Sequence, residues 1–256
     1  MNNPWKLYDE LIAGIPPEPT VRYYQGGYNW SRVVSSEDSV GLAMTIPLIT
    51  RSPLSEEASL TGKPLRQVAQ LVKSWNFVEA AIGLAAINSW YNQPARAAQC
   101  GFVHPGVTDD VREAFDVYFE ECQGKNVAVI GHFPFIEKRL SGHCQLSILE
   151  RNPSFGDYPD TACEYLLPQQ DYVFITGCTF VNKTLPRLLA LSRNARVVIV
   201  GPSTPLAPIL FMHGVYGLSG FISSTPERLE DALRGANNMT LFDAGLMVDQ
   251  MRGASS

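Results

Sequence analysis

Apolar residues recur with a helical period at the start of the chain and with a two-residue period soon after. Residues 4–15 have the helical spacing and predict an amphipathic helix that ends at the double proline following it. Residues 21–25 and 28–35 alternate instead, and Gly26-Gly27 between them tolerates the positive φ angles of a tight turn. This pattern predicts a hairpin, to which residues 40–46 would add a third antiparallel strand.

The helical period returns after Pro64. Four apolar residues between 65 and 72 fall on one helix face, and residues 77–87 form a second, alanine-rich helical pattern in which Gly83 permits close packing. Strands followed by helices are typical of an α+β unit. Thr108 then predicts the cap of a further helix that reaches Glu121, with acidic residues in its first turn.

After Gly124 strands and helices alternate, which indicates parallel βαβ units. The predicted strands are mostly continuous apolar runs and span residues 127–130, 146–149, 172–176, 197–200 and 218–222. Helix starts are predicted by a capping box at Thr161-Ala-Cys-Glu164 and by Thr225-Pro226-Glu227. We therefore expect an α/β protein, with a small α+β domain over residues 1–105 and a Rossmann-like parallel-sheet domain over residues 106–256.

Composition narrows the class of protein and partner. The 256 residues are 45% hydrophobic and 18% charged, which is ordinary for a globular protein. The net charge is -5 and basic residues do not cluster, so nucleic acid is not an expected partner. Without a signal peptide or a long apolar run, we expect a cytoplasmic protein that does not enter a membrane. Five cysteines without a Cys-x-x-Cys pair predict reduced thiols.

The residues directly after the predicted strands are the candidates for chemistry, because ligands of open parallel sheets bind outside the carboxyl ends of the strands. These candidates are Gly131, His132 and Phe133 after the first strand, Glu150 after the second, Gly177 and Cys178 after the third, and Gly201, Pro202, Ser203 and Thr204 after the fourth. Glycines, hydroxyls, one histidine and one acid at a single sheet edge predict a small-molecule site.

Glu150 ends the second strand at the position where dinucleotide-binding folds bind a ribose. The Gly-x-Gly-x-x-Gly fingerprint is absent, however, and Gly131-His132-Phe133-Pro134 places bulky side chains where a pyrophosphate needs bare backbone. Ordinary NAD binding is therefore disfavoured, and another nucleoside-like or polar ligand fits better. The alternative is a surface carboxylate paired with Arg151 or Lys138.

Two other polar segments each allow two interpretations. Gly201-Pro202-Ser203-Thr204-Pro205 either presents amides and hydroxyls to an anion or only caps a helix that starts near Pro208. Asn182 and Thr184 face the same choice between ligand contact and helix cap, and the Leu185-Pro186 sequence favours a cap at Thr184.

Metal ligation is a further candidate chemistry. His132 and Cys178 follow neighbouring strands and could converge on a transition or heavy metal, although no pair among these residues, Cys144 and His213 has the spacing of a known structural site. The alternative is that the thiols are simply buried. No Gly-x-Ser-x-Gly sequence occurs, so nothing supports a hydrolase.

Six segments together have a specific likeness to a known family. They are Glu79-Ala-Ala-Ile-Gly-Leu-Ala-Ala-Ile-Asn88, Val129-Ile-Gly-His-Phe-Pro134, Leu149-Glu-Arg-Asn-Pro153, Thr176-Gly177, Asn182-Lys-Thr184 and Val200-Gly-Pro-Ser-Thr-Pro205. On these segments the chain resembles, over nearly its whole length, a family of heavy-metal chelation proteins long known as a domain of unknown function. Cys178 lies outside the shared pattern.

The resemblance implies an amino-terminal domain folded like that of enolase, a Rossmann-like second domain and a ligand site in the cleft between them. It also implies that Asn88, and with it Asn29 or Trp30, faces the cleft from the first domain. The alternatives are a helix carboxy-terminal cap for Asn88 and a place in turn and core for Asn29 and Trp30.

Three functions of different classes fit these observations. The first is binding of a metal or a metal-chelating small molecule in the cleft. The second is an enzyme that uses a nucleoside-containing cofactor such as S-adenosylmethionine, with Glu150 on the ribose and His132 as acid or base. A scaffold with a vestigial cleft is a third. The ligand and the existence of a reaction stay open, and a homodimer is the default assembly.

Overall fold

The computed structural model describes residues 3–48, 50–54, 59–104, 113–133, 135–236 and 239–253. The chain begins with the predicted amphipathic helix, α1 (Lys6–Ala13), which buries Leu7, Tyr8, Leu11 and Ile12. A three-stranded antiparallel meander follows, and its strands are β1 (Val21–Gln25), β2 (Trp30–Ser35) and β3 (Val40–Met44). The helix and the order of these strands agree with the sequence pattern.

The turn between β1 and β2 differs from the predicted tight glycine hairpin. It spans residues 26–29, and neither Gly26 nor Gly27 adopts a positive φ. Glycine is needed at position 27 for space, since a Cβ there would lie 2.3 Å from the carbonyl oxygen of Trp30. Close approach of the backbone, and not turn handedness, accounts for this glycine.

Helices then cover one face of the meander. They are α2 (Leu65–Ala69), continued by a 3₁₀ turn (Gln70–Lys73), α3 (Phe77–Tyr91) and α4 (Pro94–Gln99). A Cβ on Gly83 would lie 2.0 Å from the backbone nitrogen of Val72, and one on Gly41 would lie 1.9 Å from the carbonyl oxygen of Ala85. These glycines let α3 lie directly against both the 3₁₀ turn after α2 and β3.

The single helix predicted from Thr108 to Glu121 is wrong in its described part. Two short helices, α5 (Glu113–Asp116) and α6 (Phe119–Cys122), replace it, and residues 105–112, which include Thr108, lie outside the described residues. Tyr118 has φ -106° and ψ 2° and packs its ring 5.8 Å from that of Phe174 in the second sheet. Burial of this ring overrides the helical pattern. The domain boundary expected at 105 and 106 falls in the same gap and stays a prediction.

The second sheet has seven strands in the order β10-β9-β8-β7-β4-β5-β6 within the described residues. They are β4 (Asn126–Ile130), β5 (Gln145–Glu150), β6 (Tyr158–Pro159), β7 (Tyr172–Thr176), β8 (Arg196–Val200), β9 (Val215–Ser223) and β10 (Gly245–Met251). All neighbours pair in parallel except β10, which is antiparallel to β9. The predicted fold class is confirmed, although β6 and β10 were not anticipated.

Helices follow most of these strands. They are α7 (Ile136–Leu140), α8 (Cys163–Leu166), α9 (Leu185–Leu191) and α10 (Pro226–Leu233), with 3₁₀ segments at Asp160–Ala162, Leu167–Gln169, Gly177–Phe180, Pro208–His213 and Leu241–Ala244. Thr225 caps α10 as predicted by accepting a hydrogen bond from the Arg228 amide. The capping box at Thr161 is wrong, because a 3₁₀ turn starting at Asp160 already precedes α8.

The two sheets share one hydrophobic core. A single buried cluster contains Leu11 and Ala85 from the first part of the chain together with Ala128, Ile175 and Phe180 from the second. Ile46, in the segment after β3, is partly buried and packs against this cluster. None of the helices within the described residues is long and apolar enough to cross a membrane.

Candidate functional site

A cavity of about 570 Å³ lies where β4, β5 and β7 end. Met44, Ile46, Pro47 and Leu48, which end or follow β3, form its opposite wall. On the side of the sheet, seven of the sequence-predicted candidates line the cavity: Gly131, His132, Phe133, Glu150, Cys178, Asn182 and Thr184. Parallel strands place the loops that follow them at one edge, so residues distant in sequence meet there.

Glu150 joins two of the loops in this wall. One carboxylate oxygen accepts the amide of His132 at 3.0 Å, and the other accepts the amides of Arg151 at 2.6 Å and Asn152 at 3.4 Å. The alternative of a surface ion pair with Arg151 or Lys138 is therefore replaced by backbone hydrogen bonds. Because both oxygens are engaged, Glu150 fixes the loops after β4 and β5.

His132 is held between two acidic side chains. Its Nδ1 lies 3.0 Å from each carboxylate oxygen of Asp157, and its Nε2 lies 3.3 Å from Oε1 of Glu137. The hydrogen bond to Asp157 raises the pKa of His132 above its ordinary value. Partial burial lowers that pKa, while the charges of Glu137 and Glu150 raise it further.

Asp157 has the least exposed side chain of this group. Its side chain is 2% exposed and accepts the amide of Ser154 at 2.8 Å, whereas the side chain of Glu137 is 49% exposed. One donor atom from each of His132, Glu137 and Asp157 lies within 4.8 Å of the others, so the three could hold a metal ion. We call these three residues the His132 cluster.

His132 and Cys178 both line the cavity, and their predicted pairing on a metal stays a prediction. The thiol of Cys178 donates to Sδ of Met44 at 3.4 Å, and burial raises its pKa above the ordinary value. Glu137 and Asp157 were missed by sequence reasoning. Glu137 could have been noticed five residues after His132, but Asp157 precedes the two-residue strand β6, which has no hydrophobic pattern of its own.

The loop after β8 holds the sheets together and lies outside the cavity wall. Ser203 is 2% exposed and accepts the amide of Met44 at 2.8 Å, and Thr204 is fully buried. Ser203 and Thr204 do not cap the 3₁₀ helix at Pro208, so the capping interpretation is wrong. The structure does not bring Gly201, Pro202, Ser203 or Thr204 into the wall.

Gly177 allows the loop after β7 to lie close to the loop after β8. A Cβ at this position would lie 2.7 Å from the backbone of Ser203 and of Thr204. The absence of a side chain therefore lets the loops after β7 and β8 meet, and Gly177 itself lies outside the wall.

Asn182 and Thr184 lie in the wall and bind each other. Oδ1 of Asn182 accepts the hydroxyl of Thr184 at 2.6 Å and its amide at 3.1 Å. Thr184 occupies the N-cap position of α9, as predicted. Its side chain does not accept a hydrogen bond from the first turn of the helix, so it does not stabilise the helix end in the expected way.

Asn88 does not reach the cavity. It is fully buried one turn before the end of α3, and its Nδ2 donates to the carbonyl oxygens of Leu42 at 2.8 Å and Ser203 at 3.1 Å. The carboxy-terminal cap interpretation is wrong, because α3 continues to Tyr91, whereas the predicted ligand contact of Asn88 stays a prediction. Asn29 is exposed in the β1–β2 turn, and Trp30 packs against the core.

Solved structures share this architecture, and a sequence relative matches part of the chain. A protein with unknown function from the DUF364 family of Desulfitobacterium hafniense is 44% identical, with a TM-score of 0.86 over 97% of this chain and 98% of that one. A DUF364 protein from Pyrococcus horikoshii, 20% identical, shows the same fold with a TM-score of 0.76 over 97% and 99% of the two chains. An uncharacterized Methanocaldococcus jannaschii protein is 28% identical over 69% of this chain and 67% of its own length.

Family models match both parts of the chain. Residues 8–91 match one model and residues 113–251 match the DUF364 model, and both models carry the description "Putative heavy-metal chelation". The second match covers the cavity-lining loops after β4, β5 and β7. The chain belongs to the DUF364 family, whose model carries that description.

Proposed function

We propose that the cavity binds a heavy metal, or a small molecule that chelates one. The observation that carries the proposal is the cavity itself, which the segment after β3 closes over the carboxyl ends of β4, β5 and β7. Open parallel sheets bind their ligands at this edge, and cavities of a few hundred Å³ with few polar groups suit small molecules.

The imidazole in the wall supports this ligand class. His132 lines the cavity, and imidazole is a ligand that transition metals such as zinc, copper and nickel accept. Ile46, Pro47 and Leu48 provide an apolar surface for the organic part of a chelator.

A nucleoside cofactor has less support. The carboxylate of Glu150 already accepts three backbone amides, which leaves less of it for a ribose diol. His132 and Phe133 follow β4 with side chains in the cavity wall, where a pyrophosphate would need a glycine-rich turn.

The test is a thermal-shift and calorimetry series on the metal-stripped protein with divalent ions, with metal chelates such as zinc picolinate, and with S-adenosylmethionine. We expect ions or chelates to raise the unfolding temperature, since ligands that bind only the folded state stabilise it. Saturable binding of S-adenosylmethionine without any effect of metals would contradict the proposal.

A matched pair of variants locates the binding. Leu48→Trp fills part of the cavity from an exposed wall position and should reduce chelate binding at least about tenfold through steric exclusion. Leu54→Trp makes the same change at another exposed position outside the wall and should bind as wild type does. Equal affinity of the two variants would place the ligand elsewhere.

A further inference from the structure

We infer that the His132 cluster binds a borderline divalent ion of the Zn²⁺, Co²⁺ and Ni²⁺ class, with His132 and Glu137 as direct ligands and Asp157 as the positioning residue. The inference deepens the proposed function and rests on it for the chelator that completes the coordination of the ion.

The distance between the two direct ligands fits one tetrahedral ion. Protein nitrogen and oxygen ligands lie about 2.0–2.2 Å from zinc, so two of them on a tetrahedral centre stand roughly 3.3–3.6 Å apart. Nε2 of His132 and Oε1 of Glu137 are 3.3 Å apart. An ion can therefore bridge these two atoms with little movement of either side chain.

Asp157 prepares the imidazole for this role. Both of its oxygens face Nδ1 of His132 at 3.0 Å, and the Ser154 amide fixes the carboxylate in a buried position. In the neutral ring this places the proton on Nδ1 and leaves the lone pair of Nε2 on the side of Glu137. Carboxylate–histidine–metal arrangements use this second contact to orient the ring and to increase its basicity.

The donor set selects the class of ion. One imidazole nitrogen and a carboxylate oxygen suit borderline divalent ions, whereas the softest ions prefer thiolate and thioether sulfur. The thiol of Cys178 binds Met44 and is not a member of the cluster within the described residues. We therefore expect no sulfur ligand on the ion.

Two protein ligands leave two positions of a tetrahedral ion open. His132 belongs to both the cluster and the cavity wall, so the ion lies beside the cavity. A bidentate small molecule in the cavity can fill both open positions. We therefore expect a ternary complex of protein, divalent ion and bidentate chelator. Binding of the ion increases the affinity of the protein for the chelator, and binding of the chelator increases its affinity for the ion.

The experiment is a Co²⁺ titration of the metal-stripped full chain, followed by visible absorption and calorimetry, with and without picolinate. His132→Ala and Glu137→Gln should each weaken Co²⁺ binding at least about tenfold. Asp157→Asn should weaken it about 10- to 100-fold while the band positions stay as in wild type, because the direct ligands are unchanged. Metal-free unfolding of each variant checks that it folds.

Two control variants separate the outcomes. Cys178→Ser should leave the affinity and the spectrum unchanged, and a thiolate charge-transfer band that is lost in this variant would overturn the inference. Leu48→Trp should retain Co²⁺ binding and lose the enhancement by picolinate. If wild type does not bind Co²⁺, or His132→Ala binds it equally well, the cluster is only an ion pair, even where chelates still bind the cavity.

Discussion

Glu150 is the residue that fixes the geometry of the cavity wall. It was singled out in the sequence because an acid after the second parallel strand often binds a ribose. In the structure its oxygens accept the amides of His132, Arg151 and Asn152. The same position is thus used to align two loops, one of which carries the imidazole of the metal site that we propose.

Replacing Glu150 tests this alignment. Glu150→Ala leaves three amides without their acceptor and should lower the free energy of unfolding by about 1–3 kcal/mol, measured by urea denaturation. Glu150→Gln keeps one acceptor oxygen and should cost less. Glu18→Ala, at an exposed position, is the control with little expected effect. An equally small effect of Glu150→Ala would mean that the loops hold their positions without it.

At the scale of elements, α3 decides how closely the first sheet is covered. Its hydrophobic pattern and its Asn76 cap, which accepts the amide of Glu79, are local features that sequence reasoning can identify. The close approach of α3 to the 3₁₀ turn after α2 depends on Gly83, whose missing side chain makes room for the backbone at Val72. Position 83 was recognised as a packing residue, but its contact partner became known only from the fold.

Gly83→Ala is therefore expected to destabilise the protein even though alanine favours helices. The added Cβ meets the backbone at Val72, which cannot rotate away, and overpacking of this kind costs about 1–3 kcal/mol. Gly26→Ala is a milder control, since its Cβ would meet only the side chains of Val78 and Ile82, at 3.2 and 3.3 Å. Thermal unfolding of both variants measures the difference. A stabilising effect of Gly83→Ala would mean that α2 moves aside at no cost.

At the scale of the whole molecule, buried amides join the two sheets. Nδ2 of Asn92, the residue that ends α3, donates to the carbonyl oxygens of Thr204 and Phe221, and its Oδ1 accepts the amide of Leu206. Asn88 makes the analogous link between Leu42 and Ser203. These contacts join α3 and β3 to β9 and to the loop after β8.

Asn92→Leu should loosen this junction. Three buried hydrogen bonds are lost at once, so the free energy of unfolding should fall by about 2–4 kcal/mol in chemical denaturation. Asn194→Leu, at an exposed position, controls for the change of residue type. If the two variants are equally stable, the shared hydrophobic core alone joins the sheets.

The sequence by itself determined where most strands of the second sheet lie along the chain and that they run in parallel, because continuous apolar runs separated by helices define a parallel sheet locally. Their order within the sheet came from the tertiary structure. The sequence also identified His132, Cys178 and Asn182 as residues of one sheet edge. The hydrogen-bond partners of these side chains came only from the tertiary structure. Asp157 reaches His132 from a loop without a hydrophobic pattern, and Asn88, Ser203 and Thr204 are turned into the junction between the sheets.

The physical reason is the range of the interactions involved. Hydrophobic periodicity, caps and turn residues act over a few positions and can be read along the chain. Which polar side chain finds which buried partner depends on how two sheets pack, and the burial of Tyr118 shows that such packing can override a local helical pattern. The sequence therefore located the sheet edge, whereas the tertiary structure decided which of its residues face the cavity and which hold the fold.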